Sequence, residues 1–188
     1  QIATTLWQNM NSSKVLINKS TVPVWTGKIC QNIIKNELQI RWKNIEFDII
    51  SNPEFLREWS AVWDFLNPDR IVCWIWNESS KKIMEEIYAP LSDKTQIIFT
   101  DVKSSEIIKY AANAFLATKI SFINEIANFC ELSWWNIQDV SKWIWTDKRI
   151  WKEFLEAWIW YGWSCFPKDI QALIETWKDF NYNFQIIK

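Results

Sequence analysis

Short apolar runs separated by polar turns make up the first half of the chain. Val15-Leu16-Ile17-Asn18 gives way to Lys19-Ser20-Thr21-Val22-Pro23, the pattern of a strand that stops at a turn. Phe47-Asp48-Ile49-Ile50, closed by Asn52-Pro53, predicts a second strand. Arg70-Ile71-Val72-Cys73 and Gln96-Ile97-Ile98-Phe99 predict a third and a fourth. Helical spacing fills two of the intervals. Residues 26–38 place Ile29, Ile33 and Ile34 on one side, and residues 79–88 do the same with Ile83, Met84 and Ile87. Strands alternating with helices predict an α/β domain with a parallel sheet.

The pattern changes after Thr100. Ile107, Ile108, Ala111, Phe115, Ile120, Ile123 and Ile126 recur at helical spacing and predict one long helix over 104–132, capped by Ser104 or Ser105. Shorter helices are predicted over 137–143, 152–157 and 168–177. The expected architecture is therefore the end of an α/β domain over 1–101, followed by an all-α domain over 102–188. The apolar stretch 111–130 is interrupted by Asn113, Lys119, Asn124, Glu125 and Asn128, which reads as a buried helix rather than a membrane span.

Charge and rare residues narrow the chemistry. With 21 basic and 22 acidic residues the net charge is −1, so neither a nucleic-acid footprint nor a polybasic membrane signal is present. The 4 cysteines, Cys30, Cys73, Cys130 and Cys165, show no C-x-x-C spacing. Such sparse usage in a chain of this length predicts a reducing, cytoplasmic setting. There is no histidine, so no Cys/His zinc site is expected and neither a Ser-His-Asp nor a Cys-His arrangement can form. Acid–base work falls to Lys, Asp, Glu or water. The chain opens on Gln1 without a charged-then-apolar leader, and the expectation is a piece of a longer protein with no signal peptide.

Three groups of residues are candidates for chemistry. Cys165 lies just before Pro167 and a predicted helix, where a helix N-terminus favours the thiolate, and Lys168 and Asp169 add charge nearby. A small buried hydrophobe is the other reading of such a cysteine. Lys109 and Asn113 stand four apart on the long helix and share a face, either as a solvated stripe or as a pair that steadies an oxyanion. Glu54 and Glu58 follow a strand end, either as surface charge or as a general base at the carboxyl edge of the sheet. No G-x-G-x-x-G turn is present.

Several longer motifs occur in order: Lys19-Ser20-Thr21-Val22-Pro23-Val24-Trp25-Thr26, Asn52-Pro53-Glu54-Phe55-Leu56-Arg57-Glu58, Pro68-Asp69-Arg70-Ile71-Val72, Lys109-Tyr110-Ala111-Ala112-Asn113, Asp147-Lys148-Arg149-Ile150 and Tyr161-Gly162-Trp163-Ser164-Cys165-Phe166-Pro167-Lys168-Asp169. Together they resemble the UDP-glucose/GDP-mannose dehydrogenase family over nearly the whole chain. The resemblance implies that 1–101 is the C-terminal part of a Rossmann-like NAD-binding domain and 102–188 a helical central domain whose long helix forms a homodimer. It implies a four-electron oxidation of a nucleotide sugar with NAD as cofactor, through a thiohemiacetal and a thioester on Cys165. In that pattern Lys109 and Asn113 stabilise oxyanions, Asp169 assists proton transfer, Glu54 is the base for thioester hydrolysis, and Thr21 positions water. Phe55, Leu56, Glu58, Lys109, Asn113, Arg149, Phe154, Tyr161 and Gly162 match substrate-binding positions, with Arg149 reaching the partner subunit's site. Thr21, Glu58, Cys165 and Lys168 match positions beside the cofactor. The first nucleotide-binding strand and its glycine turn are expected before Gln1 and a nucleotide-sugar-binding domain after Lys188, so this piece alone is expected to be inactive. The run Asn113-Ala114-Phe115-Leu116-Ala117-Thr118-Lys119-Ile120-Ser121-Phe122 and the Phe166-Pro167-Lys168 variant lean toward UDP-glucose, with UDP-N-acetylmannosamine and GDP-mannose as the other substrates within the family.

Composition complicates that picture. The chain has 16 tryptophans and 2 glycines. Trp25, Trp59, Trp74, Trp134, Trp143, Trp145, Trp151, Trp158, Trp160 and Trp163 stand where the family pattern has glycine, and Trp177 is a further candidate. Glycine serves such positions for positive φ or close backbone approach. Decoding of UGA as glycine, transcribed here as tryptophan, would produce this pattern. If the tryptophans are literal, the alternative is a non-catalytic module whose aromatic faces stack on sugar rings or on a protein partner.

Overall fold

The computed structural model describes residues 2–23, 25–158, 165–178 and 180–187. It divides into two compact units, Gln1–Lys109 and Tyr110–Lys188. The first holds α1 (Ile2–Asn9), β1 (Lys14–Asn18), α2 (Thr26–Ile40), β2 (Phe47–Ser51), α3 (Ala61–Leu66), β3 (Arg70–Trp74), α4 (Glu78–Tyr88) and β4 (Gln96–Thr100). Single 3-10 turns precede α3 and follow α4. The long helix α5 (Val102–Ser133) begins in this unit and continues into the second, which adds α6 (Ile137–Trp145) and α7 (Cys165–Lys178).

The four strands form one sheet in the order β1-β2-β3-β4. β1 and β2 pair in parallel from Lys14↔Phe47 to Asn18↔Ser51, and β3 and β4 from Arg70↔Gln96 to Trp74↔Thr100. Parallel neighbours need a crossover, supplied by α2 in one pair and α4 in the other. Successive residues of β2 point to opposite faces. Ile49 joins Trp7, Met10, Ile34 and Leu38 in one core, while Ile50 joins Ile71, Cys73, Met84 and Tyr88 in the other. Arg41 ties down the end of α1 by donating to the carbonyls of Trp7 at 2.6 Å and Met10 at 2.9 Å.

The fold class stands as α/β, with one departure from an all-parallel sheet. β2 and β3 run antiparallel and share a single register pair, Ser51↔Trp74. Side chains hold this seam together. The Asn52 amide donates to the Val72 carbonyl at 2.9 Å, and its oxygen accepts from Lys19 Nζ at 2.9 Å and from the Tyr88 hydroxyl. Lys19 Nζ also donates to the Tyr88 oxygen at 2.9 Å. β1, β2, β3 and α4 therefore meet at one amide that is 2 % exposed. The same burial pushes the neighbouring Cys73 thiol up to about 12.

In the second unit α7 packs on α5. Tyr110, Ala114 and Leu173 form one buried cluster, and Ala117, Ile120 and Phe166 form another. Among the described residues no helix is long and apolar enough to cross a membrane.

Three local expectations are corrected. The cap of α5 is Asp101, not Ser104 or Ser105, because its carboxylate accepts from the Ser104 backbone N–H at 3.0 Å and from the Ser104 hydroxyl at 2.6 Å. The helix expected over 152–157 is an irregular turn, since Trp151 and Phe154 both have φ near 65°, which a right-handed helix does not accept. α7 starts at Cys165 rather than Lys168. Pro167 falls within its first turn, where no backbone N–H is needed.

Two predictions follow from the seam. Replacing Asn52 by Ala leaves the Tyr88 hydroxyl, Lys19 and the Val72 carbonyl without this partner, and is expected to lower unfolding free energy by about 1–3 kcal/mol in urea titrations. In the native protein at pH 8, iodoacetamide is expected to label the half-buried Cys30 and Cys165 while sparing the buried Cys73 and Cys130 until denaturant is added. Peptide mapping reads both states.

Candidate active site

In the first unit, the chain leaves β1 through Ser20-Thr21-Val22 and leaves β2 through Asn52-Pro53-Glu54. A small recess at these carboxyl ends is lined by Ser20, Thr21, Val22, Ser51, Pro53 and Lys109. The crevice outside the carboxyl ends of strands is where open α/β sheets bind ligands. Glu54 is oriented by its own loop, its carboxylate accepting from the Leu56 N–H at 2.7 Å. Its other oxygen lies 3.7 Å from Lys109 Nζ. Lys109 is buried, with its ammonium 4.9 Å from the centre of the Phe55 ring. The Arg70 guanidinium sits 4.2 Å from the same ring. The pair sets a carboxylate and an amine side by side at the edge of the recess.

In the second unit, the buried Asn113 amide donates to Asp169 Oδ2 at 2.6 Å, joining residues 56 apart in sequence. Asp169 is 2 % exposed, and its second oxygen lies 3.7 Å from the solvent-facing Lys168 ammonium. A buried carboxylate requires such partners. Cys165 opens α7 one turn before Asp169, so the two share a helix face. Phe166 anchors this turn, packing among Ala117, Ile120 and Phe154, with the two phenyl centroids 5.9 Å apart.

The remaining candidates are dispersed. Glu58 is exposed in the 3-10 turn before α3, and Leu56 is half-buried. The Arg149 side chain is 88 % exposed and grips Asp147, its Nε donating at 3.0 Å. That contact holds the Asp147 carboxyl below its ordinary range and the arginine above its own. Tyr161 and Gly162 lie outside the described residues, as do Trp160 and Trp163.

Two contributors were not singled out from sequence. Asn52 sets where the Glu54 loop departs, and its signal was an Asn-Pro pair at a strand end. Lys119 donates to the carbonyls of Ile150 and Trp151 at 3.1 and 3.2 Å, fixing the loop that carries Arg149. Burial pushes the Lys119 ammonium down. Its signal was a lone lysine on the apolar stretch of the long helix.

Comparison with known proteins covers both units. Residues 1–92 match the family model for the UDP-glucose/GDP-mannose dehydrogenase family, NAD binding domain, and residues 103–188 match that family's central domain. UDP-glucose 6-dehydrogenase TuaD of Bacillus subtilis is 46% identical over 186 residues, 99% of this chain and 39% of the relative. UDP-glucose 6-dehydrogenase of Rickettsia felis is 46% identical over 182 residues, 96% of this chain and 39% of the relative. Among solved structures, a UDP-glucose dehydrogenase from Pyrobaculum islandicum superposes with a TM-score of 0.87 at 31% identity, covering 95% of this chain and 41% of the other. A GDP-mannose dehydrogenase from Pseudomonas aeruginosa gives 0.67 at 26% identity, covering 97% and 43%. The chain thus spans about two fifths of the length of these relatives, 39% in both sequence matches. Fold, ordered motifs and both matched regions place it in the UDP-glucose/GDP-mannose dehydrogenase family.

Proposed function

We propose that this chain is the middle portion of an NAD-dependent dehydrogenase that oxidises the 6-hydroxymethyl group of UDP-glucose to a carboxylate. Residues 1–101 serve as the C-terminal part of the NAD-binding domain and 102–188 as the helical central domain. The observation that carries the reading is the buried Asn113–Asp169 hydrogen bond beside Cys165 at the start of α7. A carboxylate and an amide donor then stand one helical turn from a thiol, with no histidine needed.

The recess at the ends of β1 and β2 offers the Ser20 and Thr21 hydroxyls beside apolar walls from Val22 and Pro53, a chemistry that suits the nicotinamide end of the cofactor. By the family resemblance, Thr21, Glu58, Cys165 and Lys168 take cofactor-binding roles. Two molecules of NAD, bound in turn, would each accept one of the two hydrides that the oxidation releases. The chain's own residues do the rest. After the alcohol has lost a hydride and a proton, the Cys165 thiolate adds to the aldehyde carbon. Lys109 and Asn113, one turn apart on α5, then donate to the oxyanion of the thiohemiacetal. Loss of the second hydride leaves a thioester on Cys165. Water, relieved of a proton by Glu54 and positioned by Thr21, attacks the thioester carbon, releasing the carboxylate and the Cys165 sulfur. Asp169 holds Asn113 and passes protons through water. Phe55, Leu56, Glu58, Phe154, Tyr161 and Gly162 bind the sugar nucleotide. UDP-N-acetylmannosamine and GDP-mannose are the alternative substrates, since solved neighbours carry those names.

The assembly proposed is a homodimer through α5. Phe115, Phe122 and Phe129 recur every seven residues on this helix, all at least half exposed. The exposed Arg149 would then serve the partner's substrate. The 4 free cysteines fit the proposed cytoplasmic setting.

In the full-length protein containing this chain, Cys165→Ser is expected to abolish UDP-glucuronate formation, and Lys109→Ala to lower kcat by about 10²–10³-fold. Coupled NADH and product assays read both, and uronate formation surviving in Cys165→Ser would refute the nucleophile. Phe122→Glu is expected to convert the dimer to monomer in analytical ultracentrifugation.

A further inference from the structure

Among the described residues, Trp25, Trp42, Trp134 and Trp151 have φ of 76°, 54°, 57° and 65°, and the other non-glycine residues with positive φ are Phe154 and Asn181. This left-handed region crowds the Cβ of an L-residue against the backbone, and glycine or asparagine normally occupies it. Tryptophan adds a bulky indole to a position where even alanine is strained.

Three helices close with the same pair of hydrogen bonds. After α2, the Trp42 N–H donates to Gln39 O at 3.0 Å and the Lys43 N–H to Leu38 O at 3.0 Å. After α5, the Trp134 N–H donates to Glu131 O at 3.5 Å and the Trp135 N–H to Cys130 O at 2.9 Å. After α7, the Asn181 N–H donates to Lys178 O at 3.0 Å and the Tyr182 N–H to Trp177 O at 3.4 Å. Each is a Schellman cap, which requires a left-handed residue at the first position past the helix and most often holds glycine there, sometimes asparagine. α7 meets that requirement with Asn181, whereas α2 and α5 present tryptophan. The Trp42 and Trp134 side chains are each 95 % exposed, so no burial offsets the strain. Trp151 ends a turn of the simpler kind, its N–H donating to Asp147 O at 3.4 Å.

We propose that the protein made in its own cells carries glycine, not tryptophan, at positions 42 and 134, with 25 and 151 in the same set. The codons there are decoded as glycine. Position 42 lies outside the positions that the family resemblance singles out, so backbone geometry reaches it independently. The proposal does not rest on the catalytic reading.

The deciding experiment is peptide mass spectrometry of the protein isolated from the cells whose genome encodes it. Peptides spanning positions 42 and 134 are expected to carry glycine, and tryptophan at either position overturns the proposal. The physical premise has its own readout in the 188-residue chain. Trp42→Gly combined with Trp134→Gly is expected to raise Tm by about 2–4 °C per site. Trp63→Gly is expected to lower it, because Trp63 is also solvent-facing, at 67 % exposure, but lies inside α3 with right-handed backbone. A fall in Tm for the cap variants matching that of Trp63→Gly overturns the argument from geometry.

Discussion

One buried amide sets the geometry of the first unit. The sheet is two parallel βαβ units that meet at a single antiparallel register pair, too little backbone pairing to fix their relation. Asn52 supplies what the ladder lacks by taking protons from Lys19 and Tyr88 and giving one to Val72. An amide so buried must satisfy its donors and its acceptor together, which pins β1, β2, β3 and α4 in one arrangement. The chain departs from that point into Pro53-Glu54. The position of the Glu54 carboxylate, and its ion pair with Lys109, are therefore consequences of the seam.

The second unit depends on a similar demand. Asp169 is almost wholly buried, and a buried carboxyl group without hydrogen-bond partners is costly. Asn113 on α5 and Lys168 on its own helix answer it. That requirement sets how α7 is placed along α5, and Phe166 reinforces it by filling the apolar space above Ala117 and Ile120. Cys165 is placed as a by-product, in the first turn of a helix whose position is fixed by a carboxylate one turn on.

Local pattern was a good guide where a segment's periodicity and its surroundings agreed. The strands at 15–18, 47–50, 70–73 and 96–99 each emerge longer by a single residue at one end, and the long helix runs through the predicted span. Prediction failed where backbone sign or capping decided the outcome. Apolar spacing over 152–157 is compatible with a helix, but positive φ at Trp151 and Phe154 prevents one. Ser104 was a plausible cap, yet the stronger acceptor three residues before it, Asp101, took the N–H. The helices α1 and α3 are short and had no clear period of their own. α1 is held by burying Trp7 against Ile34 and Leu38 of α2, whereas α3 buries none of its residues.

The sequence by itself determined the elements, the α/β-then-helical order, the absence of histidine chemistry and the motifs that mark the family, because these depend on residue type and near-neighbour spacing. Tertiary structure alone decided which distant residues meet. Asn113 reaches Asp169, Glu54 reaches Lys109, and Asn52 joins Lys19 to Tyr88, because side-chain pairing across tens of residues depends on how helices and strands are docked. Backbone sign was decided there too. The sequence pointed to left-handed backbone at Trp25, Trp134 and Trp151 only through the family's glycine positions, and gave no hint of it at Trp42. The closing hydrogen bonds of α2 show that Trp42 too occupies a position built for a residue without a Cβ, and those of α5 show the same geometry at Trp134.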